Sequence, residues 1–214
     1  MPRKNRSNPL ALAVLVTLYE KAMHPYEIAQ TLRLRAKHES VRLNYGSLYA
    51  VVETLERRHL IEARETVREG NRPERTVYGI TEAGSREMID WLTDMIAVPA
   101  KEYPDFLAGL SFLPALSPDE ALTAFRMRAN TLELRLAQIR TAMRTAHDAG
   151  LPRLFMIESE FEEQLTATEL HFVNGLIKDL ASGDLEGLAM WTSFHTDGTS
   201  PLEGVVFTFD CPGD

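Results

Sequence analysis

Arg68, Arg72 and Arg75 surround the turn-forming residues Gly70, Asn71 and Pro73 in the stretch REGNRPER. Guanidinium groups on a polar turn are suited to one kind of chemistry: they hold oxyanions through charge and paired N–H donors. Further upstream, Asn44-Tyr45-Gly46-Ser47-Leu48-Tyr49 gathers an amide, hydroxyls and a glycine. Short polar side chains of this kind exchange hydrogen bonds with base edges or phosphates, and glycine lets a backbone come close to a ligand. Covalent and metal chemistry have no such footing. The histidines at 24, 38, 59, 147, 171 and 195 show no His–His or His–Cys ligand spacing, and the sequence holds no C-x-x-C or H-x-x-x-H pair. A glycine-rich phosphate loop and a nucleophile elbow are also missing, and Glu162–Glu163 reads as helix surface. The expectation is a protein that is not an enzyme, with no catalytic residues, no metal and no cofactor.

The elements that must position these residues follow from periodicity. With 214 residues, 44% apolar and 25% charged, the chain suits one large domain or two small ones. The basic start and apolar run of MPRKNRSNPLALAVLVTLY imitate a signal peptide, but Glu20 and Lys21 follow it without a small-residue cleavage site. The run is also too short to span a bilayer. A buried first helix over roughly 8–21 is expected instead, with Asn8 as N-cap and Pro9 at the first helical position. Pro25 opens a second helix, with Ile28, Ala29 and Leu32 inward. From Asn44, Leu48, Val51, Val52 and Leu55 keep the spacing of a third helix. The period then changes: Ile61, Ala63 and Val67, and Thr76, Tyr78 and Ile80, mark two strands around the arginine-bearing turn.

Thr81 is expected to cap a helix carrying Met88, Leu92, Met95 and Ile96, and a short helix follows around 105–113. Ser117-Pro118-Asp119-Glu120 opens a long helix as a capping box. Along it Leu122, Phe125, Ala129, Leu132, Leu136, Ile139 and Met143 alternate at spacings of three and four, a heptad seam. A second long helix runs to about Ala181, with Leu154, Ile157, Phe161, Leu165, Phe172, Leu176 and Leu180 assigned inward. The seam closes on this helix, on a second copy of the chain, or on both. The stretch from about Thr192 reads as a loosely ordered tail or a short strand.

Charge divides along the same line. Residues 1–80 carry 14 Lys and Arg against nine Asp and Glu, whereas the remainder carries nine against 22. Only the first half is therefore suited to a polyanion. Three helices and a two-stranded hairpin make a winged helix-turn-helix, in which the start of the third helix enters the major groove. On this reading Asn44, Tyr45, Gly46, Ser47 and Tyr49 face DNA, and Arg68, Arg72 and Arg75 reach phosphates or a minor groove. The plainer readings are half-buried tyrosines, a solvated turn, and a winged helix that binds protein without DNA affinity.

The same residues resemble the PadR family of bacterial transcriptional regulators. MHPYEIAQTL is similar to that family's H-G-Y-E-I segment, GSLYAVVETLERRHLIEAR to its G-T-L-Y-P-x-L-x-x-L-E-x-x-G-L-I, and RTVYGITEAG to its R-x-Y-x-L-T-x-x-G. Pro25 and His59 stand where glycine is usual, and Ala50 where proline is usual. The resemblance implies that Tyr26, Ser47, Tyr49 and Arg75 lie near DNA and that Tyr78 is a packed wing residue. It also implies dimerisation through a C-terminal helical domain, here through Leu122, Phe125, Leu132, Leu136, Ile139, Met143, Phe161, Leu165, Phe172 and Leu176. Family members commonly release DNA on sensing aromatic or lipophilic compounds. Trp91, Phe106 and Phe112, where the basic half joins the acidic half, are the effector-site candidates, with plain core packing as the alternative.

The resulting expectation is a mainly α protein with a small β-hairpin. It has a winged helix-turn-helix over residues 1–96, a helical, coiled-coil-like dimerisation and effector domain over 97–190, and a tail over 191–214. Its function would be that of a cytoplasmic, homodimeric, effector-responsive repressor on a pseudo-palindromic double-stranded operator, with no membrane association.

Overall fold

The computed structural model describes residues 8–37, 40–67 and 75–198. The chain divides into two compact units after Glu102. In the first, helix α1 (Pro9–Glu20) is followed by α2 (Pro25–Leu34), α3 (Tyr45–Arg57), strands β1 (Ile61–Val67) and β2 (Arg75–Ile80), and α4 (Glu82–Ala97). The Asn8 side chain accepts from the Leu10 N–H at 3.1 Å, so α1 starts as its sequence predicts. Leu10, Leu12, Val14, Leu15 and Leu18 are buried, each worth about 1.5–3 kcal/mol of apolar transfer. That load explains why α1 packs against α2, α3, α4 and β2 and serves as the spine of the unit.

The hairpin is antiparallel, with Ile61 opposite Ile80 and Ala63 opposite Tyr78, and its register shifts between Ala63 and Glu65. Met23, just before α2, adds a further bridge: the Met23 N–H donates to the Tyr78 carbonyl and the Tyr78 N–H to the Met23 carbonyl, both at 3.0 Å. Behind the hairpin, Thr81 caps α4 by accepting from the Gly84 N–H at 3.0 Å. A Cβ on Gly84 would come within 2.0 Å of the Leu60 carbonyl oxygen, so this position demands glycine. Met88 and Trp91 face the core, but Leu92, Met95 and Ile96 of the same helix are exposed.

Helices α2 and α3 end alike. The Lys37 N–H reaches the Leu32 carbonyl and the Leu60 N–H the Leu55 carbonyl, closing a Schellman motif at each terminus. The residue after each cap must then be left-handed. Ala36 (φ 54°) and His59 (φ 57°) hold these positions, which glycine occupies at least steric cost.

In the second unit a short helix α5 (Asp105–Ser111) and a 3₁₀ turn (Leu113–Ala115) precede the hairpin of α6 (Pro118–Asp148) and α7 (Ile157–Ser182), and α8 (Leu188–Asp197) closes the unit. The capping box at Ser117 forms, and hydrogen bonds from Ser117 hold the Glu120 carboxyl below its ordinary range. The α6 seam is buried inside the chain. Phe125, Ala129 and Leu132 pack in a core with Val173, Leu180 and Trp191; Leu136 is also buried, while Leu122, Ile139 and Met143 are half-buried.

On α7 the inward assignment needs correction. Leu154, in a 3₁₀ turn (Arg153–Phe155) ahead of the helix, and Ile157, Phe161, Leu165 and Phe172 on it are exposed, whereas Thr166, Val173 and Leu180 are buried, with Leu176 half-buried. Thr166, Val173 and Leu180 recur every seven residues along one line, and at about 100° per residue Phe161, Leu165 and Phe172 lie roughly 80–120° round the helix from it. Small side chains, Ala121, Ala129, Thr166 and Val173, are buried there instead. The start of the expected tail is also corrected: residues to Asp197 are helical, and the buried Trp191 donates its Nε1–H to the Leu116 carbonyl at 2.7 Å. The apolar run VVFTF (205–209), where the alternative short strand of this stretch would fall, lies outside the described residues.

Ala36→Gly and His59→Gly are each expected to stabilise the first unit by about 0.5–1 kcal/mol, because left-handed strain exceeds the entropy that glycine adds to the unfolded chain. Thermal denaturation should show each midpoint rising by a few degrees; a fall would mean that the side chain makes a contact worth more than the strain.

Candidate nucleic-acid interface

The polar residues of α3 are held on its outer side by the burial of Leu48, Val51, Val52 and Leu55 on the other. Asn44 is the N-cap: its Oδ1 accepts from the Ser47 N–H at 2.7 Å. This side chain therefore has a structural duty at the helix start that a DNA-contact reading does not include. Ser47 is exposed beside it, as are Tyr45 and Tyr49. Gly46 has room for a methyl group, since a Cβ there would meet only Asn44 Oδ1 at 3.7 Å. Packing inside the chain thus gives no reason for glycine at position 46.

Tyr26, from the first turn of α2, stacks on Tyr45 with ring centroids 6.2 Å apart and planes 9° from parallel. Arg33 completes the group. Its guanidinium lies 4.7 Å from the Tyr45 ring centroid and donates to the Tyr45 hydroxyl at 2.8 Å. Arg33 is not among the sequence candidates, although its seven-residue spacing from Tyr26 places both on one face of α2. A cation on an exposed aromatic face contributes about 0.5–1 kcal/mol. The cluster therefore fixes two tyrosines and a positive charge beside the start of α3.

Between α2, α3 and β2 lies a cleft of about 470 Å³ lined by His24, Pro25, Tyr49, Ala50, Val52, Glu53, Glu56, Thr76 and Tyr78. Tyr78 is the joint in its wall: its hydroxyl donates to Glu56 at 3.3 Å while its backbone bridges to Met23. Burial, reinforced by the Glu56 charge and this hydrogen bond, pushes the Tyr78 phenol above its ordinary pKa. The phenol thus stays a neutral donor, and β2 stays tied to α3. The base of the wing is set in this way against the helix, whereas Arg68 and Arg72 lie outside the described residues. Arg75 is the first residue of β2.

The effector candidates are distributed over both units. Trp91 is buried in the core of the first unit, and its Nε1–H has no hydrogen-bond partner among the described residues. Phe106 packs against the core of the second unit under the Arg128 guanidinium, 3.7 Å from the ring centroid, and Phe112 is exposed. Among the described residues no group of three or more His, Cys, Asp or Glu could hold a metal ion, and no helix is long and apolar enough to cross a membrane.

A helical core, a polar third helix and a hairpin fastened to it define a winged-helix DNA-binding fold. Residues 14–90 match the Transcriptional regulator PadR-like family, and this part of the chain is a PadR-like domain. The likeness to solved structures extends further. PadR of Bacillus subtilis in complex with operator DNA aligns at a TM-score of 0.65 and 17% identity, covering 80% of this chain and 97% of that one. The virulence activator AphA of Vibrio cholerae aligns at 0.64 and 15% identity, covering 81% and 98%. Bacillus subtilis PadR in complex with p-coumaric acid aligns at 0.55 and 16% identity, covering 77% and 98%. At these identities the likeness establishes the fold, including the helical second unit. No curated protein matches the chain in sequence.

Asn44→Ala is expected to cost about 1 kcal/mol of stability, and Asn44→Asp much less, because aspartate keeps the capping oxygen. Denaturant melts of the two variants check this; equal losses would remove the cap as the role of Asn44.

Proposed function

We infer that this protein is a homodimeric transcriptional regulator, not an enzyme, that binds a pseudo-palindromic DNA operator and works in the cytoplasm as an effector-responsive repressor. The observation that carries this reading is the exposed polar start of α3, with Ser47 and Tyr49 beside the Tyr26–Tyr45–Arg33 cluster, in a PadR-like domain. The positive charge excess of residues 1–80 supports it, since a polyanion is bound largely through phosphate neutralisation. Tyr26, Tyr45, Gly46, Ser47 and Tyr49 would face the groove, and Arg68, Arg72 and Arg75 the backbone. Asn44 would act mainly through the cap. Selection of bound duplexes from a random pool by the full chain is the test: a two-fold consensus is expected, and the absence of any enriched sequence would overturn the reading.

Dimerisation is assigned to the outer face of α7. Phe161, Leu165 and Phe172 are 63%, 55% and 49% exposed and fall on one side of the helix. Ion pairs Arg128–Glu169 and Arg135–Glu162 flank them, giving an apolar stripe with a charged border of the kind found at protein interfaces. The buried seam residues Phe125, Leu132 and Leu136 would support this face from behind. Two copies related by a two-fold axis would present two α3 helices to half-sites about 34 Å apart. An aromatic or lipophilic effector would act by preferring the DNA-free dimer, and a coupling of about 1–3 kcal/mol would weaken operator binding roughly 5- to 150-fold.

Two measurements check the parts. Replacing Arg72 and Arg75 with alanine should weaken binding to all duplexes and lower the salt slope by about 1 for each phosphate no longer neutralised; an unchanged slope would place the wing off the phosphates. Phe161→Glu with Leu165→Glu should convert a micromolar dimer to a monomer in sedimentation and reduce operator binding with it, and a persistent dimer would move the interface elsewhere.

A further inference from the structure

Glu53 lies on α3 one turn beyond Tyr49. At about 100° per residue, Gly46, Ala50, Glu53 and Arg57 occupy the middle of the exposed arc, opposite Leu48, Val51, Val52 and Leu55. Its neighbours on this surface are committed. Arg57 donates to Thr54 Oγ1 at 3.0 Å, Thr54 donates to the Ala50 carbonyl at 2.8 Å, and Glu56 accepts from the Tyr78 hydroxyl. Glu53 is exposed, borders the cleft shared with Tyr49 and Thr76, and has no hydrogen-bond or ion-pair partner among the described residues.

A carboxylate at the centre of a DNA-facing surface is unfavourable against every sequence, because phosphates repel it and offer no donor. What a major groove does offer a carboxylate is an exocyclic amine, above all the N4 amino group of cytosine. We propose that Glu53 is a specificity-determining residue that accepts a hydrogen bond from cytosine N4 at one fixed position of each operator half-site. This rests on the DNA-binding reading above. The uncommitted carboxylate admits duplexes with cytosine at that position and penalises those with a carbonyl or N7 acceptor there. Ser47 and Tyr49, one to two turns nearer the start of the helix, read other positions. The cost in general affinity for DNA becomes discrimination, of the order of tenfold or more between cytosine and the other bases.

The test compares duplexes selected from a random pool by the full-length wild type, Glu53→Gln and Glu53→Ala. A thermal melt establishes that all three are folded, which is expected of changes at an exposed side chain. The wild type should enrich cytosine at one position in each half-site. Glu53→Gln should replace it with adenine, since an amide can pair with adenine N6 and N7. Glu53→Ala should lose preference at that position alone and bind the formerly disfavoured duplexes more tightly. A wild-type consensus retained by both variants overturns the assignment of Glu53 while leaving DNA binding intact. So does a gain in affinity by Glu53→Ala that is equal for all sequences, because that is repulsion without recognition. A wild type that enriches no sequence overturns both readings together.

Discussion

The pair of backbone hydrogen bonds between Met23 and Tyr78 is the constraint on which the first unit depends. A two-stranded hairpin is marginal by itself and needs a third strand or a packed face. Here the loop before α2 provides the additional bridge, and Tyr78 sends its hydroxyl to Glu56 on α3. One residue thus ties the loop that starts α2, the helix that presents Ser47 and Tyr49, and the strand that begins at Arg75. The neutral phenol suits this role, because it donates to a carboxylate without bringing a charge into a half-buried place. Gly84 serves the same end from behind, letting the first turn of α4 lie directly against the Leu60 carbonyl at the end of the α3 connection.

The second unit resolves a competition for apolar surface. Its longest helix has a seam that could have paired with another copy of the chain, but the centre of that seam is closed within the chain by Val173 and Leu180. Small buried residues on the facing helices, Ala121, Ala129 and Thr166, suit close helix packing, and the large side chains Phe161, Leu165 and Phe172 are exposed. The ion pairs between α6 and α7 sit at solvent-exposed edges, where each contributes little to stability, and they define the border of the apolar face more than they hold it together.

Much of this is legible in the sequence because it depends on local rules. Asn8 with Pro9, and Ser117 with Glu120, mark helix starts that the structure reproduces. The change from helical to alternating period after Leu60 locates the hairpin. The polar face of α3 follows from the spacing of its four buried residues. What escapes depends on which surface wins when several are apolar. In α7, Phe172 and Val173 are neighbours, and hydrophobicity favours the phenylalanine, whereas close packing against α6 selects the valine. The place of Trp91 in the chain suggests a joint, yet its bulk fills the core of the first unit. Arg33 escapes a sequence reading because its partner Tyr45 lies on another helix, and the loop between them obscures a contact that their positions on α2 and α3 create. The left-handed position at His59 is visible as a departure from glycine, but its meaning requires the Schellman geometry.

The two tryptophans, each buried in a different unit, have a spectroscopic consequence. Trp91 has its indole N–H in an apolar core with no partner among the described residues, while Trp191 donates its own to the Leu116 carbonyl. Indole emission moves to longer wavelength as water and hydrogen-bonding groups relax around the excited state, so the two residues should differ in colour as well as in location. Either can be replaced with phenylalanine, leaving one intrinsic lamp per unit, and the order in which the units lose their structure can then be followed without attaching a dye.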